Sequence, residues 1–339
     1  MRFVTVHTDL LSAEDLEGHR RELTAYCYRM LGSGFDADDA VQETMVRAWR
    51  AGDRFEGRSS FRSWLYRIAT NVCIDMLRGR QRRARPMELG PSRPPVESSL
   101  HEILPEGSWV SPIADDRVLP PEADPAEVAL ARDSIRLAFV AALQHLPPRQ
   151  RAVLILCEVL RWQASEAAQL LETSVAAVNS ALQRARATLT SAGISLADMA
   201  GQAAVDAGQG DLLARYVDAF ERYDVDSLVN LLHEDAVQSM PPYAMWLSGG
   251  RDIVAWMLGP GSGCRGSRLI PVAANGGPAF GHYKPDPQTG ELKPWAIQVI
   301  EISGDHVAAI HSFLEADLLF PTFGLPAHVP PPSRSGRSG

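Results

Sequence analysis

The side chains best equipped to do chemistry fall in two clusters. In the first, Arg62, Trp64, Tyr66, Arg67 and Asn71 lie within ten residues, and Arg78, Arg80, Arg82 and Arg83 follow. Aromatic faces stack on unpaired bases for about 1–3 kcal/mol each, and guanidinium groups hold phosphates. Between Arg62 and Arg85 seven arginines stand against one acid, Asp75, which is the local positive density a nucleic-acid surface needs. The second cluster is Ser174, Ala176, Ala177, Asn179, Ser180, Gln183, Arg184 and Arg186. Small residues let a helix start sink into a major groove, where amide and guanidinium side chains reach base edges and phosphates. No P-loop, no GxGxxG after a strand and no metal-ligand spacing occurs, so no catalytic residue, no metal site and no cofactor are expected.

Each cluster needs a helix to present it. Val175, Val178, Leu182, Ala185 and Leu189 recur at steps of three and four, which predicts a buried stripe opposite the second cluster. Ser174 stands where an N-cap belongs, and a shorter helix over 165–171 precedes it, so the pair reads as a helix-turn-helix. Phe61, Leu65, Ile68, Val72 and Met76 give the buried face of the helix bearing the first cluster. An earlier helix has Asp36 as its expected N-cap, with Val41, Met45, Ala48 and Trp49 as its apolar stripe. Asp39, Gln42, Glu43 and Arg50 point elsewhere.

A chain of 339 residues exceeds one ordinary core and predicts two or three domains. Four cysteines lie far apart with no CxxC pair, which fits reduced thiols and a cytoplasmic protein. No apolar run reaches bilayer length, and the N-terminus lacks a signal-peptide core. Net charge is −8, which speaks against indiscriminate nucleic-acid binding but not against a local basic face.

Composition divides the chain. Residues 10–85 read as helical, 86–126 as a proline-rich acidic linker that is flexible or orders on binding, and 127–190 as helical again. A second linker is expected over 191–210, a further domain over 211–326 and a disordered tail over 327–339. The 211–326 segment opens with a helical pattern over 212–232 and a short helix over 250–258. Strand-like runs follow at 269–274, 295–302 and 307–314, predicting an α+β domain with a curved antiparallel sheet.

The two helical blocks resemble the extracytoplasmic-function (ECF) group of the sigma-70 family. The run from Asp36 to Thr44 with Arg47-Ala48-Trp49 is similar to region 2.2, which docks on the clamp helices of the large polymerase subunit. This implies that Asp39, Gln42 and Glu43 bind polymerase. Phe61 through Asn71, continuing past Asp75 into the arginine tail, looks like regions 2.3 and 2.4, which open and read the −10 element. This assigns that role to the first cluster. The helix-turn-helix looks like region 4, which reads the −35 element through the second. The resemblance covers roughly residues 10–190 apart from the linker. It implies a protein that is not an enzyme, with bacterial core RNA polymerase and promoter DNA as partners and no membrane. The linker is similar to the family's connector toward the polymerase cleft. Its acids (Glu97, Glu102, Glu106, Asp115, Asp116) could imitate an RNA backbone, or the segment could be a tether.

Residues 211–326 resemble the SnoaL-like domain of the nuclear-transport-factor-2 superfamily. The carrying residues are Tyr216-Val217-Asp218-Ala219-Phe220, 228–236, Met240-Pro241-Pro242, 275–279 and 320–326. The implied architecture is multi-domain: two all-α sigma domains plus a C-terminal α+β cone. The cone implies a pocket lined by Tyr243, Trp246, Trp256, Trp295 and His311, with a small-molecule ligand as a candidate partner. Asp235, His233 and His311 are the available acid–base groups, none in a tight motif. The resemblance favours a built-in regulator that biases a closed against a polymerase-competent form. Where one such group carries Asp-Gly-Gly-Gly-Lys, this chain has Asp206-Ala207-Gly208-Gln209-Gly210-Asp211. Two alternatives remain open: a SnoaL-like enzyme or ligand-binding protein with a DNA-binding appendage, and a helix-turn-helix regulator independent of polymerase.

Overall fold

Serine caps start the three helices that carry the predicted polar clusters. Ser33 Oγ accepts from Asp36 N at 3.2 Å, Ser60 Oγ from Ser63 N at 3.1 Å and Ser174 Oγ from Ala177 N at 3.1 Å. Each satisfies one orphan N–H of a first turn. The cap expected at Asp36 therefore lies three residues earlier, and the Asp36 carboxylate is free to take Arg80 and Arg83, at 2.7 and 2.8 Å.

The computed structural model describes residues 13–329 apart from 53, 54, 56, 58, 106, 122, 123 and 193–206. Most of the 191–210 linker, Glu106, and the tail beyond 329 lie outside the described residues. The described chain forms two compact units, one from 13–83 with 116–192 and the other from 84–115 with 207–329.

The first unit is helical: α1 (Ala13–Glu17), α2 (Arg20–Leu31), α3 (Gly34–Ala51), α4 (Phe61–Leu77), α6 (Pro125–Asp133), α7 (Leu137–Leu143), α8 (Pro148–Leu154), α9 (Ala164–Leu170) and α10 (Val175–Ser191), with α5 (Pro86–Leu89) in the other unit. Leu23, Tyr26 and Met30 of α2, Ala37 and Val41 of α3, and Leu65, Ala69 and Val72 of α4 are buried. The helices also meet through Tyr26 Oη and Thr70 Oγ1 at 2.7 Å. Trp49, expected in the apolar stripe of α3, is instead 60% exposed.

Where α2 meets α7 and α8, a polar network crosses helices that also bury Leu31, Val140, Leu143 and Leu154. Arg29 Nη2 donates to Ser134 Oγ at 2.6 Å. Arg151 donates to Met30 O, to Gln144 Oε1 at 2.6 Å, and to Gln144 O and Leu146 O at 3.2 and 3.1 Å. Gln144 Nε2 reaches Arg29 O at 3.3 Å. Arg151 and Gln144 thus satisfy carbonyls at the C-terminal end of α2, where the helix dipole favours a cation. Both arginines are buried, and burial lowers each to about 10, still charged near neutrality.

The second unit holds one six-stranded sheet in the order β2-β1-β6-β5-β4-β3. Its strands are β1 (Leu232–Ser239), β2 (Trp246–Ser248), β3 (Arg268–Ala274), β4 (Gly277–Pro285), β5 (Leu292–Ser303) and β6 (His306–Phe313). The expected purely antiparallel meander is corrected at one place: β1 runs parallel to β6, with Ser239 opposite His311. Strands β1, β2 and β4 escaped the sequence reading because they are polar, very short, or interrupted by glycine. Asn275 and Gly276 turn β3 into β4 with φ of 55° and 71°, the two left-handed residues a tight hairpin of this kind requires. Leu212, Tyr216 and Phe220 of α11 (Ala207–Arg222) and Ile253 and Trp256 of α13 (Gly250–Leu258) share a core with Leu269, Phe280, Ile300 and Ile310 of the sheet. The short α12 (Val225–Val229) joins α11 to β1. On the opposite side α14 (Ala316–Thr322) brings Phe320 edge-on to Tyr283, ring centres 5.1 Å apart.

The predicted proline-rich linker is ordered in the same unit as this sheet. Trp246 Nε1 donates to Gly90 O at 2.8 Å and Arg93 N to Trp246 O at 2.9 Å. Leu104 N donates to Pro242 O at 2.9 Å and Ala244 N to Glu102 O at 3.0 Å. Farther along, Ile113 N donates to Asn275 Oδ1 at 3.2 Å and Gly276 N to Asp115 Oδ1 at 2.8 Å. Backbone groups that a free linker would leave to water are satisfied by the C-terminal sheet and its turns. Part of the expected disordered tail is also placed, because Val329 is buried and bridges Leu292.

Replacing Arg151 by alanine strands several buried carbonyls at once. We expect Arg151→Ala to lower stability by about 2–4 kcal/mol. Urea denaturation followed by circular dichroism measures it, and a loss below about 1 kcal/mol would show that these carbonyls find other donors.

Candidate functional site

On α10 every residue of the second predicted cluster is exposed: Ala176, Ala177, Asn179, Ser180, Gln183, Arg184 and Arg186, with Ser174 at the cap. Val178, Ala185 and Leu189 are buried behind them, while Leu182 is half-buried and Val175 is 44% exposed. The stripe is narrower at its start than expected, because Val175 sits in the first turn beyond the edge of the packing. Arg186 pairs with Glu158. α9 precedes α10 through a turn in which Glu172 adopts φ of 51°. The helix thus shows one exposed amide- and guanidinium-bearing face, crossed within its unit by Glu158 at Arg186, and an exposed face is what groove entry requires.

The first cluster is divided by the structure. Arg62, Asn71, Arg78, Arg80 and Arg82 are exposed, and Arg67 and Arg83 half-buried. Trp64 and Tyr66 are buried at 7% and 0%, so neither presents a face to a base in this state. Their position on α4 turns them inward: Trp64 packs with Phe55, ring centres 5.1 Å apart, and Tyr66 with Tyr26 at the same distance. The Tyr66 ring also lies 5.2 Å from that of Trp162, and the Arg62 guanidinium covers both at 5.1 and 5.4 Å. Arg62 Nε donates to Glu22 Oε2 at 2.7 Å, Tyr66 Oη donates to the same oxygen at 3.2 Å, and Arg67 pairs with Glu172 at 3.3 Å. Burial pushes the Tyr66 phenol above its ordinary range. Glu22 and Trp162 were missed because both sit far from the cluster in sequence, and only packing brings them to it.

On α3 Asp39, Gln42 and Glu43 are exposed, and Glu43 accepts from Arg47 Nε at 2.7 Å. Trp49 adds an exposed aromatic to the same helix. Apolar periodicity hid it, because the phase that buries Ala48 leaves its neighbour at the edge of the stripe.

The C-terminal cavity lies between α11, α13 and the sheet and encloses about 50 Å³. Of the five predicted lining residues, Trp256 and Trp295 are present. Tyr243 and Trp246 instead hold the linker, through an Ile103–Tyr243 bridge and the two Trp246 bonds. His311 faces away, because Ile310 and Ser312 line the cavity and side chains alternate along a strand. It bonds Ser239 Oγ through Nδ1 at 2.8 Å and lies 3.5 Å from Glu301 through Nε2. Asp235 is exposed, and His233 Nδ1 accepts its backbone N–H at 3.2 Å, outside the lining. The polar groups that do line the cavity are Gln238, Gln298, Ser312 and His282, with the thiol of Cys264. Burial, with Lys284 nearby, brings His282 down to about 3, so it is neutral at ordinary pH. Among the described residues no cluster of His, Cys, Asp and Glu could hold a metal, and no helix is long and apolar enough to cross a membrane.

Comparison with known proteins agrees with this geometry. The Sigma-70 region 2 family model matches residues 16–83 and the Sigma-70 region 4 model residues 136–189. The ECF RNA polymerase sigma factor SigG of Mycobacterium tuberculosis is 46% identical over 318 residues, which is 91% of this chain and 82% of the relative. This chain belongs to the ECF sigma factors. Another relative, SigJ of the same organism, is 27% identical over 256 residues, 74% of this sigma factor and 73% of SigJ. The crystal structure of M. tuberculosis SigJ shares the fold at a TM-score of 0.58, with 22% identity, over 93% of this chain and all of that one. The function class is therefore that of a subunit directing core RNA polymerase to promoters, and the architecture is two helical sigma regions with a C-terminal α+β unit.

Buried His282 of this sigma factor makes a pH prediction. Its folded value of about 3 lies below the ordinary 6.5, so the unfolded chain alone takes the proton between them. Its contribution is full above pH 6.5 and is lost as pH falls. We expect stability to drop toward pH 4 by up to about 1.4 kcal/mol per pH unit from this group. Thermal melts of wild type and His282→Asn should diverge below about pH 6.5 and run parallel above it. Parallel curves throughout would mean that His282 titrates normally.

Proposed function

We propose that α10 reads the −35 duplex and that α4 with the arginine tail engages the −10 element. In the same reading α3 docks on core polymerase through Asp39, Gln42, Glu43 and Trp49. The carrying observation is the fully exposed α10 face backed by Val178, Ala185 and Leu189. Arg184→Ala or Gln183→Ala should cost about 1–3 kcal/mol of promoter discrimination. The protein would act where the polymerase is, in the cytoplasm.

In this reading the described arrangement is a closed state. The two elements are named for positions 25 base pairs apart, roughly 80 Å at about 3.4 Å per base pair. Here the α4 and α9–α10 regions touch through Arg62, Tyr66, Trp162, Arg67 and Glu172, which favours a state that cannot serve both elements at once. Opening would free Tyr66, with Arg62, from Trp162.

The C-terminal unit acts in cis by holding the linker. Released, the 32 residues of Ala84–Asp115 span up to roughly 110 Å, enough for both elements. Held by Pro242, Ala244, Trp246 and Asn275, they are not available as a tether. No charged group lines the cavity among the described residues, which supports a regulatory rather than a catalytic role for this unit.

The test combines multi-round transcription with bacterial core polymerase and energy transfer between dyes at the exposed Arg21 and Thr190. Promoter-specific transcript and high transfer in the free chain, falling when core and promoter are added, are expected. Absence of any promoter-specific transcript would sink the reading, and transfer that stays high in an active complex would sink the closed state.

A further inference from the structure

Promoter recognition makes no use of the C-terminal cavity, and its chemistry is specific. Its walls are apolar, with Phe220, Trp256 and Ile310 among them. No Asp, Glu, Lys or Arg lines it among the described residues; Lys284 stands behind the lining, over the Trp295 ring at 4.2 Å, and an ion inside would lose most of its hydration. Most of its polar groups satisfy one another: Tyr216 Oη donates to Gln298 Oε1 at 2.9 Å, and Gln298 Nε2 lies 3.5 Å from Ser312 Oγ. His282 differs. It is 2% exposed, its Nε2 is taken by Ser267 Oγ at 2.9 Å, and its Nδ1 is buried with no hydrogen-bond partner among the described residues. A buried polar atom left unpaired keeps its desolvation cost, and a ligand that bonds it recovers that cost.

The wall also leads outward. Met240 lines the cavity, and its carbonyl accepts from Tyr243 N at 2.9 Å. The next residues hold the linker, Pro242 O taking Leu104 N and Ala244 N reaching Glu102 O. Met240 and Met257 are unbranched and can yield to an occupant larger than 50 Å³, and a shift of Met240 moves the start of the clamp.

We propose that this cavity binds a small neutral molecule with an apolar body and one hydroxyl, hydrogen-bonded to His282 Nδ1, and that occupancy acts through Met240 on the hold over the linker. The second half rests on the linker-holding reading above. The test is calorimetry on the full chain with phenol, toluene and benzoate, near-isosteric probes that differ in polarity and charge. Phenol should bind once per chain, about threefold or more tighter than toluene and about tenfold or more tighter than benzoate. His282→Phe should reverse the order of phenol and toluene, and His282→Asn, which keeps a hydrogen-bonding atom near Nδ1, should preserve it. Toluene preferred by the wild type, equal selectivity in His282→Phe, or no binding at all would overturn the site. Should His282→Phe not fold, the wild-type ranking and His282→Asn decide. Hydrogen exchange then reads the coupling, with the Leu104 amide exchanging faster in phenol. An unchanged amide overturns the coupling alone, whereas an amide that exchanges at the free-peptide rate before any phenol is added refutes the linker-holding reading instead.

Discussion

A guanidinium at the end of a helix governs how the helical unit is put together. Arg151 belongs to α8, yet most of its donors serve carbonyls at the end of α2 and in the chain between α7 and α8. Taking a charge out of water is costly, and fixed carbonyl dipoles with the negative end of a helix offset that cost. The same bonds seat α7 and α8 on α2, and with them the helix-turn-helix. These bonds make the joint specific, while Leu31, Val140, Leu143 and Leu154 are buried around them.

The two cluster helices respond differently to that joint. α10 keeps its polar face outward because its own buried stripe is sufficient to anchor it. α4 instead gives its aromatic residues to the interior, and Arg62 bridges Tyr66 to Trp162. The polar face of α10 is therefore on display, whereas the aromatic faces of α4 are withheld.

The C-terminal sheet works at two places that the same short segment joins. Tyr243 and Trp246 face the linker, Met240 faces the cavity, and the residues between carry the backbone bonds. Asn275 does similar double duty: its left-handed φ makes the β3–β4 hairpin, and its side chain takes Ile113 N. Turn residues that the sheet already fixes in place are rigid points to which a linker with little secondary structure of its own can attach.

Periodicity and capping made the helices legible from sequence, since a stripe such as Val178, Ala185 and Leu189 is a local property of spacing. The polar face of α10 was legible for the same reason, and the motifs in order were enough to indicate the family. Strands were harder. Leu232–Ser239 carries His, Glu, Asp and Gln, and only its neighbours in the sheet make it a strand. What remained for tertiary structure was which face several aromatics show, although Trp256 and Trp295 line the cavity as expected. Trp64 and Tyr66 turned inward, Trp49 outward, Trp246 toward the linker and His311 to the far side of the sheet. Sequence by itself determined the main helices, the motifs and the family, because these depend on neighbours along the chain. The closed joint, the ordered linker and the unpaired His282 depend on groups up to about a hundred or more residues apart, and only the folded chain brings those together.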